Sequence, residues 1–234
     1  MTETTHKRGS LTIEWRDQKL IAHGECGLYH PVSGTLYIAD AHIGKASYFR
    51  AQGRPVPEDV TAHDLTRLSR LIEEFGASRL VVLGDLFHAP PSAHDETIAS
   101  LRAWRDSHPS IECFLIEGNH DRRLGKSLEK TGFEVAKSPH ADDTFTLMHE
   151  PPARAPSGRP TLCGHIHPSV RLSGRGRSTM RSSCFWFADN FAVLPAFGRF
   201  TGSHVVRPAP SDRVVAVESS RVIEIAPSLC IATP

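Results

Sequence analysis

The sequence has no Cys-x-x-Cys pair, no long apolar run and almost no net charge, and each absence closes off a class of answers. Its five cysteines are an odd number without close pairs, which argues against both a disulfide framework and a zinc ribbon and leaves buried, reduced thiols as the simpler reading. No apolar run approaches the roughly 20 residues needed to span a bilayer, and the opening MTETTHKRGS has no apolar segment behind its charges. The expected location is therefore cytoplasmic, with no membrane partner. A formal charge of +1 exerts no global pull on nucleic acid, so any basic surface has to be local. There is no internal repeat and no low-complexity domain.

What is present is an ordinary globular composition, 39% hydrophobic and 23% charged over 234 residues, enough chain to bury a core without staples. Residues 35–39 (TLYIA), 79–83 (RLVVL) and 111–116 (IECFLI) read as buried strands. Each ends abruptly in polar residues: Asp40, then Gly84-Asp85, then Gly118-Asn119-His120-Asp121. Between the first two, Leu65, Leu68, Leu71, Ile72 and Phe75 follow helical spacing with Gly76 as a C-cap; residues 93–106 repeat the pattern more weakly through Ile98, Leu101 and Trp104. Strand, helix, strand, helix, strand predicts parallel strands with crossover helices and a site beyond their carboxyl ends. From about residue 133 the runs shorten, and FEVAK, TFTLMHE, RPTLCGHIHP, SVRLSG, SCFWF, FAVLPAF and RVIEI predict a mostly antiparallel set of strands. PPARAPSGRP and SGRGRSTMRSS read as surface loops. The expectation is one mixed α/β sandwich over residues 1–234, with β additions at both ends of a core at about residues 35–202.

An isolated Asp-x-His or Gly-Asp means little, since chance and surface solvation explain most of them. Here five clusters follow in order: Asp40-Ala41-His42, Gly84-Asp85-Leu86-Phe87-His88, Gly118-Asn119-His120-Asp121, His149-Glu150 and Gly164-His165-Ile166-His167. Carboxylate oxygen, imidazole nitrogen and one amide oxygen, with no thiolate, suit Mn, Fe or Zn at a catalytic site better than a structural zinc.

The series DAH, GDLFH, GNHD, H and GHIH resembles the calcineurin-like metallophosphoesterases, whose fold is a β-sandwich flanked by helices (αββα). The stretches IADAHIGKASYFRAQG, VVLGDLFHA, LMHEPP, GHIHP and LPAFGRFTG resemble more closely the bacterial members encoded beside an ATP-dependent DNA ligase and a helicase, described as ligase-associated DNA damage response endonucleases. The pattern departs after Phe197-Gly198, where Arg199 and Ser203 stand in place of expected small residues. The resemblance implies two divalent ions, Mn(2+) first with Fe or Zn as alternatives. One would take Asp40, His42, Asp85 and His167, and the other Asp85, Asn119, His149 and His165. Asn119 would ligate through its carbonyl oxygen without adding charge beside an anionic phosphate. Two ions about 3.5 to 4 Å apart can share a hydroxide and hold phosphate oxygens for in-line attack. His120 resembles the general acid that protonates the leaving alkoxide. Asp121 either orients the His120 ring or completes the turn, and His88 either supports the site or caps its loop.

The other histidines (His6, His23, His30, His63, His94, His108, His140 and His204) read as solvated or core residues. Trp104, Phe185 and Trp186 read as core in preference to base-stacking platforms. Arg50, Arg54, Arg122, Arg123, Arg171, Arg175 and Arg177 are either solvated loop residues or phosphate grips, with Arg122, Arg123 and Arg50 the first candidates for substrate. The expected function is a dinuclear phosphodiesterase, with DNA as substrate and the ligase and helicase as partners by resemblance. The alternatives are an esterase of a small nucleotide or phosphomonoester, and a non-catalytic scaffold in a repair complex.

Overall fold

In a computed structural model, residues 9–57, 59–88, 95–154, 157–173, 179–199 and 201–231 are described; His6, His94, Arg175 and Arg177 lie outside them. A meander of β1 (Ser10–Trp15), β2 (Gln18–His23) and β3 (Leu28–His30) leads into β4 (Thr35–Ile38). Helices α1 (Lys45–Ala51) and α2 (Val60–Phe75) follow, then β5 (Arg79–Val82), α3 (Asp95–Asp106), β6 (Glu112–Ile116) and β7 (Glu134–Ala136). These seven strands form one sheet in chain order, antiparallel up to β4 and parallel from β4 to β7. Sequential parallel strands with crossovers of one hand place their helices on one face.

The side-chain alternation of the strands divides the core accordingly. Leu36 and Ile38, Leu80 and Val82, and Cys113 and Leu115 face the helices, where they meet Leu65, Leu68, Leu71, Ile72, Phe75, Leu101 and Trp104. Tyr37, Val81, Phe114 and Ile116 face the other way, onto Phe145, Leu147, Leu162, Phe185, Phe187 and Val215 of a second sheet. Trp104 and Phe185 are thus core residues, and the half-buried Trp186 donates its indole N–H to Asp212. The cysteines are free thiols, with Cys113, Cys163 and Cys184 buried. Among the described residues no helix is long and apolar enough to cross a membrane.

The second sheet contains β8 (His140–Ala141), β9 (Thr146–Leu147), β10 (Thr161–Cys163), β11 (Pro168–Ser173), β12 (Thr179–Phe187), β13 (Phe191–Val193), β14 (His204–Val205), β15 (Arg213–Glu218) and β16 (Arg221–Ile225). The set is mostly antiparallel, as the sequence predicts, through β8–β9, β11–β12, β12–β13, β12–β15 and β15–β16; within it β9, β10 and β13 run parallel, as do β11 and β14. Strands of two or three residues carry no readable alternation, and only parallel pairing sends the ends of β9 and β10 to the same edge. The stretch expected as a loop at 173–183 is also strand from Thr179 onward, paired with β11 in the register Ser169↔Ser183.

One buried cation ties α2 to the rest. Arg67 is 7% exposed and donates to Glu25 Oε2 at 2.6 Å, Asp64 Oδ1 at 2.7 Å and the Phe197 carbonyl at 3.1 Å, with its guanidinium over the Phe197 ring. Burial raises the Glu25 carboxyl, but the hydrogen bonds from Ser220 and Arg67 and the Arg67 charge outweigh it and hold the pKa below the ordinary range. The Glu25 contribution is therefore present above the ordinary carboxylate pKa and fades as pH falls through the lowered folded value. Arg67→Ala strands two carboxylates and is expected to cost about 3–5 kcal/mol. At about 2–4 °C per kcal/mol, a calorimetric scan should show the loss clearly; a midpoint within 2 °C of wild type at neutral pH would contradict it.

Candidate metal centre

Five loops leave the two sheets at one edge. β4 runs into Asp40 and His42, β5 into Gly84, Asp85 and His88, and β6 into Gly118 through Asp121; β9 and β10 of the other sheet run into His149 and into Gly164 through His167. The turns are tight and left-handed: Asp40, His42, Asp85, His165 and His167 all have positive φ, from 46° to 72°. Each such non-glycine residue costs of order 1–3 kcal/mol, strain that persists only where the surroundings over-determine it. Two glycines make the crowding possible. A Cβ on Gly84, itself at φ +83°, would lie 2.1 Å from His149 Nδ1, and one on Gly118 would lie 2.2 Å from Asp85 Oδ1.

The hydrogen bonds fix which ring nitrogens face inward. His149 Nδ1 lies 3.0 Å from the Leu83 carbonyl and His167 Nδ1 lies 2.9 Å from the Gly202 carbonyl. A carbonyl accepts only, so each Nδ1 carries the proton and each Nε2 presents a lone pair. His149 Nε2 then faces Asn119 Oδ1 at 2.9 Å, His165 Nδ1 at 3.0 Å and Asp85 Oδ1 at 3.5 Å. His167 Nε2 faces His42 Nε2 at 3.3 Å and Asp40 Oδ1 at 3.4 Å. The carboxylates are held from behind by backbone amides: His165 N–H donates to Asp40 Oδ2 at 2.8 Å and His120 N–H to Asp85 Oδ1 at 2.9 Å.

Three groups of converging donors result, Asp40 with His42 and His167, Asp85 with His149 and His165, and His42 with His88 and His120; within each, the ligand atoms lie within 4.8 Å of one another. The first two carry a carboxylate each, and the third is imidazole alone. Asp40 Oδ1 and His42 Nδ1 are buried without a hydrogen-bond partner among the described residues. Burial, with Lys45, His167, His120 and His88 around it, pushes His42 down to about 2, so its ring is the neutral form that ligates. Burial works against charge on His167 too, but Asp40 and the Gly202 carbonyl outweigh it and raise its pKa. Lone pairs aimed at each other, with an unsatisfied buried carboxylate oxygen among them, fit divalent cations with oxygen and nitrogen ligands.

His120 stands beside these groups, 28% exposed with Nε2 3.8 Å from Asp85 Oδ2. Its Nδ1 is buried, so Nε2 is the nitrogen open to a substrate. Asp121 is fully buried, and its carboxylate accepts from the backbone N–H groups of Gly118 at 3.0 Å, Phe87 at 3.2 Å and Leu86 at 3.3 Å. Of its two readings, completing the turn is the one these bonds describe. His88 stacks on His120 with ring centroids 5.3 Å apart. Tyr48 and Phe49 of α1, which the sequence did not single out, pack against His88 at 5.5 and 5.8 Å. Their only signal was position, a few residues beyond the Asp40-His42 loop.

The arginines divide. Arg122 and Arg123 are exposed on the turn that follows His120, Arg122 with its Nε 3.8 Å from Glu117. The Arg50 guanidinium is taken up by the Pro57 carbonyl at 2.5 Å and Ser47 Oγ at 3.1 Å, and Arg54 lies over the Phe49 ring.

The sequence pattern of the calcineurin-like phosphoesterases matches residues 35–205. Among solved structures, the Pseudomonas putida nuclease MPE is similar at 33% identity and a TM-score of 0.78, over 92% of this chain and 100% of that one. Yfce, a phosphoesterase from E. coli, is similar at 16% identity and a TM-score of 0.46, over 82% of this chain and 98% of that one. No curated protein matches. The matched span holds all five strand-end loops, and with it the chain belongs to the calcineurin-like phosphoesterase family and is a metal-dependent phosphoesterase hydrolase.

Proposed function

We propose that the protein is a dinuclear phosphodiesterase that cuts DNA as an endonuclease in repair. The carrying observation is the pair of carboxylate-bearing donor groups at one sheet edge, with the part-exposed His120 imidazole beside them. The likeness to a nuclease over 92% of the chain supports DNA as substrate. The resemblance of the motifs to the ligase-associated enzymes supports cytoplasmic work beside an ATP-dependent DNA ligase and a helicase.

In this proposal Asp40, His42 and His167 would hold one ion, Asn119, His149 and His165 would hold the other, and Asp85 would serve as a ligand to the pair. Two divalent ions, Mn(2+) in this reading, would supply Lewis-acid neutralisation of phosphate charge and a water of lowered pKa. The remaining steps belong to the chain. The backbone amides of His165 and His120 keep the two carboxylates in place as charge shifts. His120 Nε2 delivers a proton to the leaving alkoxide, which would otherwise depart as a strong base. His88 limits rotation of that ring, and Asp121 holds the turn beneath it. Arg122 and Arg123 line the approach for flanking phosphates.

Metal removal provides the test. Chelator-treated protein should lose nicking of supercoiled plasmid, and Mn(2+) should restore it, with activity falling steeply as salt rises. Restored turnover of small esters or nucleotides with intact plasmid would replace DNA by a small substrate. No turnover of any phosphoester with metal bound would favour the scaffold.

A further inference from the structure

Away from the metal centre, a cavity of about 520 Å³ opens between α2, the end of β2 and the β15–β16 turn. Its α2 wall is one helical face, His63, Arg67, Arg70 and Glu74, spaced by four, three and four residues. Arg67 forms the buried floor and is satisfied by Glu25 and Asp64. Arg70, Arg199 and Arg221 also line the cavity and are exposed. None of these three has a carboxylate within salt-bridge range among the described residues, and the Arg199 guanidinium lies 3.4 Å from His63 Nε2. Glu25 and Glu74 line the cavity too, Glu25 taken by Arg67 and Glu74 facing His23 at 3.7 Å, so four arginines against two carboxylates leave the concavity locally cationic on a chain of net charge +1.

The far wall is built, not incidental. Ser219 and Ser220 both adopt positive φ, 49° and 60°, at the β15–β16 turn, a conformation that ordinarily calls for Asn-Gly. They are pinned there by Glu25, which accepts from Ser220 Oγ, and by Gly24, where a Cβ would fall 2.1 Å from the Ser220 carbonyl carbon. The turn brings Arg221 to the rim.

The cavity is joined to the metal centre by one short segment. Phe197 N–H donates to the Ala39 carbonyl and Gly198 N–H to the Asp40 carbonyl, while on the other side the Phe197 carbonyl accepts from Arg67. Arg199 is the next residue, one Cα step of about 3.8 Å away, and lines both this cavity and the smaller cleft beside His42.

We infer that Arg70, Arg199 and Arg221 bind backbone phosphates of the nucleic-acid strand that runs on from the metal centre, a second anion site that sets strand affinity and takes no part in bond cleavage. The strand as occupant rests on the nuclease proposal; the anion site itself does not. Guanidinium groups without carboxylate partners bind phosphate oxygens in bidentate fashion, and Arg199 follows directly on the Phe197-Gly198 segment that is hydrogen-bonded to the Asp40 loop.

The test uses the full chain with Arg70, Arg199 and Arg221 all changed to Ala. Binding of a fluorescein-labelled 30-nucleotide single strand is followed by anisotropy across a salt series, in a His120→Ala background so that the strand is not consumed. The expected result is a roughly tenfold or greater loss of affinity at low salt, with the slope of log K against log salt reduced by about 2. Hydrolysis of bis(p-nitrophenyl) phosphate by the triple variant with His120 intact should stay within twofold of wild type. Unchanged affinity and slope would overturn the inference. So would loss of inorganic phosphate binding, by titration calorimetry, without loss of strand affinity, because the cavity would then serve a free anion. Wild type that binds the strand through these arginines yet cleaves only small esters would sink the nuclease proposal alone; plasmid nicking unaffected by the triple change would sink the cavity alone.

Discussion

Under the proposed nuclease function, His120→Ala protein should retain its metal and lose plasmid nicking by about 10²- to 10⁴-fold, the usual contribution of a positioned acid. Metal is retained because the two carboxylate-bearing groups, Asp40 with His42 and His167 and Asp85 with His149 and His165, are complete without the His120 ring, and Asn119 stands beside the second of them. The backbone N–H that holds Asp85 Oδ1 survives the substitution as well. The leaving group separates the acid role from a structural one. A deoxyribose alkoxide needs a proton, whereas p-nitrophenolate leaves without one, so bis(p-nitrophenyl) phosphate turnover should fall far less than plasmid nicking. Equal losses on the two substrates would mean that the change disturbs the site as a whole. No loss on either would remove His120 from the chemistry.

Gly84→Ala is expected to be the most damaging change that adds a single methyl group. The new Cβ would lie 2.1 Å from His149 Nδ1, 2.5 Å from Cγ and 2.9 Å from its Cβ, so the whole imidazole base has to move, not merely a flexible tip. Moving it breaks the Leu83 carbonyl bond that sets the His149 tautomer and turns Nε2 away from Asn119 and Asp85. The left-handed φ of +83° adds its own strain. Together these place the loss at the rare upper end for point substitutions, on the order of 4 kcal/mol, with bound metal reduced to a fraction of wild type. Gly125→Ala is the matched control, since its φ is +49° with nothing within 4 Å of the added carbon; it pays the strain alone, about 1–2 kcal/mol. Full metal content in Gly84→Ala by elemental analysis, with a melting midpoint equal to that of the control, would defeat this account.

The contrast between β5 and β10 shows what the sequence could reveal. After Arg79, β5 continues as an apolar run over residues 80–83, buried between helices and a second sheet, and it stops at Gly84-Asp85; length, hydropathy and a hard stop together locate both strand and site. β10 has three residues, and its direction is set by partners, Thr146 and Phe191, that lie far off in sequence, so GHIH could be recognised while the parallel pairing could not. The sequence alone does not decide the role of Asp121, because two of the three amides it serves, Leu86 and Phe87, come from another loop. The Arg199 cavity was hidden for the same reason. Its walls come from β2, α2, the Phe197 segment and the last hairpin, and only tertiary packing brings them together.

The donors do not come from one sheet. Asp40, Asp85 and Asn119 are carried by the first, His149, His165 and His167 by the second, and His167 to Asp40 and His149 to Asp85 are contacts across the sandwich. A cation held by such a set is a clasp as well as a reagent. Folding and ion binding then become one linked equilibrium: ions that bind the folded chain alone stabilise it by RT ln(1 + [ion]/Kd), about 2.7 kcal/mol at a hundredfold excess over Kd. The hardness of this protein against heat becomes a reading of the free metal around it, and a cell that withholds the ion loosens the sheets at the same edge where it silences the chemistry.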